Sequence, residues 1–122
     1  MEWHSIDTWT VYVVPQLSRD WEITAVRING VDVSEGQAVQ VPPGENVWFA
    51  VKVKNKSNVS GTCRIYRKVV TEDGEVILEK TGGGVEFGPN EERWIPAPDF
   101  GLDEFTMPEK SVTITIRLEA YY

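Results

Sequence analysis

Groups able to attack a carbonyl, move a proton or hold a metal are scarce in this chain. It contains one histidine, His4, and one cysteine, Cys63. A Ser-His-Asp or Cys-His constellation would have to use His4, and no other feature of the sequence points to one. A zinc site, which takes four ligands mostly from Cys and His, is close to excluded on the same count. The best cation candidate is Asp99-Phe100-Gly101-Leu102-Asp103-Glu104, where Asp99, Asp103 and Glu104 could offer oxygens to calcium from an irregular loop. Its spacing lacks the five or six ligands of a calcium loop, and acidic turn residues with no ion are the competing reading. Glu91-Glu92 and Asp103-Glu104 are adjacent pairs, which on a strand point to opposite faces and cannot converge across a glycosidic bond. Thr81-Gly82-Gly83-Gly84 lacks the Lys-Ser/Thr and following helix of a phosphate loop and reads as a flexible linker. Cys63 alternates with Ile65 and reads as a small buried apolar residue. The expectation is a protein without catalytic groups, cofactor or metal.

The aromatic and basic residues are more suggestive. Five tryptophans stand at positions 3, 9, 21, 48 and 94. Trp48 shares a strand face with Lys52 and Lys54, so with Trp94 and Tyr66 it could form a platform for a sugar ring or a protein partner. Packing of these indoles on the N-terminal segment is the alternative. Trp3, Trp9, Tyr12, Trp48, Trp94, Tyr121 and Tyr122 are the interface candidates. Half of the twelve basic residues fall between Glu45 and Glu72, where no acid occurs. Of these, Lys52, Lys54, Lys56, Arg64 and Lys68, joined by Arg67, could make a docking patch for an acidic partner. A solvated strand face, with lysines guarding an edge, competes with that reading. The net charge of −7 argues against general nucleic-acid binding. Asn55-Lys56-Ser57 and Asn58-Val59-Ser60 match the glycosylation acceptor pattern and are read as ordinary loop residues.

The elements that must position these residues are strands. In Pro43-Gly44-Glu45-Asn46-Val47-Trp48-Phe49-Ala50-Val51-Lys52-Val53-Lys54-Asn55, a prolyl turn opens a run with period two. Val47, Phe49, Val51 and Val53 lie on one face; Trp48, Ala50, Lys52 and Lys54 lie on the other. The device returns 46 residues later as Pro89-Asn90-Glu91-Glu92-Arg93-Trp94-Ile95, with Asn supplying the positive φ that Gly44 supplies first. Further strands are predicted over Thr8–Val14 and Trp21–Ile28, the latter with a face switch between Ala25 and Val26 that marks a bulge or a sheet crossing. Others are predicted over Ala38–Val41, Thr62–Thr71, Glu75–Lys80, Val85–Phe87 and Arg93–Ile95, and the last over Ser111–Glu119. Asn29-Gly30 and Asp73-Gly74 predict hairpins. Residues 96–108, broken by three prolines, are predicted irregular.

About eight short strands with no helical periodicity predict a single all-β domain, an antiparallel β-sandwich. No apolar run approaches the ~20 residues of a membrane helix. The start, Met1 to Asp7, lacks the pattern of a secretory signal, so a cytoplasmic or virion location is expected. The Pro-Gly-Glu turn, the Val51-Lys52-Val53-Lys54-Asn55 strand end and the second turn Pro89-Asn90-Glu91 resemble immunoglobulin-like domains of the CARDB and related bacterial, archaeal and viral type. That resemblance covers residues 22–119 and implies an immunoglobulin-like sandwich of 7–9 strands, with residues 1–21 as an added arm suited to docking or strand exchange. The expected function is structural: a subunit of a virion (capsid, decoration or tail) or a filament, acting through contacts with other protein subunits or copies of itself. A carbohydrate- or cell-surface-binding module using exposed Trp and Tyr is the alternative.

Overall fold

In the computed structural model, residues 1–10, 21–95 and 101–121 are described, save the side chains of Trp9 and Thr10. The chain is an all-β sandwich: ten strands among the described residues, arranged in two antiparallel sheets. They are β1 (Trp3–Thr10), β2 (Trp21–Ile28), β3 (Val31–Val33), β4 (Asn46–Asn55), β5 (Gly61–Thr71), β6 (Val76–Thr81), β7 (Val85–Phe87), β8 (Glu92–Ile95), β9 (Asp103–Thr106) and β10 (Val112–Tyr121). The first sheet runs β1-β10-β5-β6 with β7 also on β5; the second runs β3-β2-β4-β8 with β9 also on β4.

Alternation decides which side chains enter the layer between the sheets. Val47, Phe49, Val51 and Val53 of β4 meet Cys63, Ile65 and Val69 of β5 and Ile114, Ile116 and Leu118 of β10 in one core. Ala50 belongs to the outward set yet is fully buried. Arg27, its partner across the ladder, reaches over it to Trp94.

Both prolyl turns form as expected. Glu45 N donates to Pro42 O and Glu91 N to Gly88 O, with Gly44 and Asn90 at positive φ (87° and 58°). Their consequences differ. The first turn opens β4 only, whereas the second carries the chain from β7 in one sheet to β8 in the other. Asn29 and Gly30 both hold positive φ, the conformation a two-residue hairpin needs, between β2 and β3. Asn29 also pairs like a strand residue: its Oδ1 accepts Trp48 N–H at 2.8 Å and its Nδ2 donates to Asn46 O.

Several expectations are corrected. The first strand starts at Trp3, not Thr8, because pairing with β10 begins at Trp3 opposite Tyr121; residues 11–14 lie outside the described set. Ala38–Val41 forms no strand, since no neighbour pairs with it. Residues 96–108 are not irregular throughout: Asp103–Thr106 pairs with Asn46–Phe49 as β9. The irregularity in β2 falls between Ile23 and Ala25, and the strand stays in its sheet as a bulge and does not cross. Ten strands exceed the expected 7–9 because Val31–Val33 pairs with β2 as β3 and Asp103–Thr106 pairs with β4 as β9, which outweighs the loss of Ala38–Val41.

Close approach explains Gly61. A Cβ there would lie 2.8 Å from Cζ2 of Trp21, itself buried and edge-on to Phe87 at 5.5 Å. Gly61→Ala is therefore expected to cost about 1–3 kcal/mol by forcing the indole off its seat. Urea unfolding followed by tryptophan fluorescence measures it, and an unchanged midpoint would contradict the packing.

Candidate functional site

The outer face of the first sheet carries a stacked ladder of aromatic rings and ions. Cross-strand register sets Trp3 beside Tyr121, Glu119 beside Arg64 and Arg117 beside Tyr66. The Arg64 guanidinium sits 4.4 Å from the Trp3 ring and donates to Glu119 Oε1 at 2.7 Å. Arg117 donates to Glu119 Oε2 at 3.2 Å and lies 4.3 Å over the Tyr66 ring, whose hydroxyl donates to Glu79 at 2.5 Å. Trp3 and Tyr121 meet edge to face at 4.8 Å. Glu119 is buried beneath its partners. Burial alone would raise its carboxyl, but Arg64 and Arg117 hold it below the usual carboxylate value. The hydrogen bond to Glu79, first among the causes, pushes the Tyr66 hydroxyl up.

The outer face of the second sheet carries the other tryptophans. Trp94 lies under the Arg27 guanidinium at 4.2 Å, with the Lys52 ammonium 5.9 Å from its ring. Trp48 packs on two glycines: a Cβ at Gly30 would lie 3.6 Å from its ring, and one at Gly101 3.0 Å from its Cβ. Both indoles are half-buried. Tyr66 is on the opposite sheet, so the three aromatics do not form one platform.

The basic run is divided by the same topology. Lys52 and Lys54 face outward on β4, where Lys54 lies between Glu22 and Glu92, and Lys56 pairs with Glu22 at 3.5 Å. Arg64 and Lys68 face outward on β5, opposite Glu119 and Glu79. Two faces of a sandwich, each with its own acids, divide the candidate docking patch. Arg67 points inward: its Nε meets Asp103 Oδ2 at 2.5 Å, and the Lys80 ammonium meets Asp103 Oδ1 at 2.7 Å.

That arrangement corrects the cation candidate. Asp103 is opposite the buried Phe49 and turns into the sandwich, where Arg67 and Lys80 satisfy it. Glu104, one residue on, faces outward and accepts from Asn46 Nδ2. Asp99 lies outside the described residues, among which no group of three His, Cys, Asp or Glu is placed to hold a metal. Tyr12 and Tyr122 also lie outside them, and Trp9 is placed only by its register opposite Ile116. Cys63 is fully buried, and burial pushes its thiol up to about 12, far from a thiolate at neutral pH. His4 is half-buried on β1, with Glu2 3.9 Å away.

An apolar cavity of about 280 Å³ opens at one end of the sandwich, lined by Ile28, Val41, Val47, Phe105, Met107 and Ile114 among others. A groove of about 420 Å³ at the other end carries one carboxylate, Glu86. Neither brings an acid and a base together. The ladder and Asp103's partners escaped sequence reasoning, since each joins strands far apart in the chain. Comparison with protein-family models, curated proteins and solved structures finds no match.

Proposed function

We propose that this protein is a non-catalytic structural module that assembles through protein–protein contacts, as a subunit of a homo-oligomer or larger particle of the virion or filament kind. The observation carrying this reading is the ladder on the first sheet. Trp, Tyr and Arg are the side chains that dominate interface energetics, because they bury much surface at little entropic cost once fixed. Here Trp3, Arg64, Arg117, Tyr66 and Tyr121 are already fixed by one another, so a partner would meet a preorganised surface. The edge strand β1 lies on the same sheet and contributes Trp3 to it. The carbohydrate-binding alternative loses its shared platform, since Trp48 and Trp94 are on the other sheet from Tyr66.

Light scattering on the intact chain is expected to give a multiple of the 13.8 kDa protomer mass. The double substitution Tyr66→Ala with Arg117→Ala should return it to the protomer while the strand signal in circular dichroism persists. A protomer mass for the unaltered chain at every concentration would overturn the proposal. So would glycan-array binding lost on Trp48→Ala.

A further inference from the structure

Asp7 is the least expected side chain in the sandwich. It sits on the edge strand β1, yet it is only 1% exposed. Simple alternation from Trp3 and Ser5, whose side chains face outward, would place Asp7 outward as well. A bulge at Ile6 shifts the register so that Asp7, opposite Leu118, turns inward. Bulges commonly re-aim a side chain in this way.

What Asp7 meets there is the first half of β2. Among the described residues, β3 pairs only with Val26–Ile28 and leaves that half of β2 without a strand on its side. The Asp7 carboxylate accepts the Ile23 N–H at 3.3 Å and thereby ties β1 to the second sheet. Its other oxygen, Oδ1, is buried with no hydrogen-bond partner among the described residues. Glu35, in the turn after β3, likewise has a buried Oε2 with no partner among them. A buried carboxyl oxygen left unpaired costs far more when the group is ionised than when it is protonated.

We propose that Asp7 is a proton-operated latch on β1: the neutral acid seats the edge strand in its own sheet, and ionisation at higher pH loosens it. Among the described residues, Glu22 on β2 and Glu35 beyond β3 both repel a charge on Asp7. Glu22 is itself engaged by Lys56 at 3.5 Å. On β1 itself His4 turns to the same side, nearer the strand end. Burial is the largest influence and raises the Asp7 carboxyl above its ordinary value, with Glu22 and Glu35 adding to it; the Ile23 and Thr8 N–H groups oppose.

The sign follows from linkage. A carboxyl raised in the seated state binds its proton more tightly there than when released. Its full contribution to seating is present below the released-state value and is lost as pH rises through the seated-state value. Loosening β1 would uncover the β10 ladder from Thr115 to Tyr121, the same register that β1 of a second copy could occupy. This last step rests on the assembly reading above; the latch itself does not.

Hydrogen exchange of the β1 and β10 amides on the intact chain tests the latch, after correction for intrinsic exchange chemistry. Opening of β1 should increase by roughly tenfold or more between about pH 4 and pH 8. Asp7→Asn keeps an oxygen for the Ile23 N–H and removes the charge. It should hold β1 at pH 8 as firmly as the unaltered chain holds it at pH 4, with no pH slope. Glu35→Gln, which leaves Asp7 in place, should show a shallower slope. A slope that survives Asp7→Asn, or weaker protection in that variant at pH 8, would overturn the latch, and for a variant that fails to fold the Glu35→Gln slope decides. Native mass spectrometry of mixed heavy and light copies reads exchange between molecules separately. Release of β1 with no mixed species would overturn the exchange step and the assembly reading while upholding the latch.

Discussion

Arg67→Ala is expected to lower the unfolding free energy by about 3–5 kcal/mol. Arg67 comes from β5 and Asp103 from β9, so their 2.5 Å contact staples one sheet to the other. Both side chains are nine-tenths buried or close to it, and Arg67 Nη1 also donates to Ile65 O at 3.1 Å. The space for this guanidinium exists because residue 82 is glycine: a Cβ there would come within 2.8 Å of Nη1. Removing Arg67 leaves a buried carboxylate held, among the described residues, by Lys80 alone, whose side chain is half-exposed. A buried ion pair carries a desolvation cost of its own, however. Replacing both partners together, Arg67→Met with Asp103→Leu, is therefore expected to recover most of the loss. Urea midpoints of the two single variants and the double form a thermodynamic cycle. If Arg67→Ala costs less than about 1 kcal/mol, the pair behaves as a surface bridge and the staple is wrong.

Asn55→Ala should cost about 2–4 kcal/mol. Asn55 ends β4 and is fully buried, and its amide is the hub of two loops. Nδ2 donates to Val59 O at 2.9 Å and to Gly88 O at 3.1 Å, while Oδ1 accepts the Ser57 N–H at 3.0 Å. Its backbone N–H donates to Glu91 O. Alanine would leave these loop groups without the partner that replaced water, which is the expensive way to lose a hydrogen bond. Asn55→Asp is no remedy, because a carboxylate keeps the acceptor but turns a second one towards two carbonyls. Thermal unfolding should rank the unaltered chain well above both variants, and exchange at the Ser57 amide should rise in Asn55→Ala, which removes its acceptor. Equal stability for Asp and Asn would refute the hub. The same burial means that, of the two glycosylation-type triplets, only Asn58 presents an exposed amide.

Much of the sandwich was legible because it is local. Alternation in Asn46–Asn55 and Val112–Tyr121, the Asn29-Gly30 hairpin and the two prolyl turns follow from side-chain period and from which residues tolerate positive φ. Neither needs distant partners. The misplaced elements were those whose existence depends on a neighbour. Ala38–Val41 has strand-like alternation but nothing to pair with, whereas Asp103–Thr106 lacks a strand signature and becomes one because β4 offers an open edge beside it.

By itself the sequence determined an all-β chain: period-two patterning, β-branched residues and turn chemistry decide strand over helix within a few residues of each position. Tertiary structure alone decided the charges. Lys52 and Arg64 belong to one basic run yet face away on opposite sheets, Asp103 turns inward to a guanidinium 36 residues away, and a bulge at Ile6 buries Asp7. Electrostatic energy depends on separation in space and on exclusion of water. Both are set only when two sheets close on each other, and chain order carries neither.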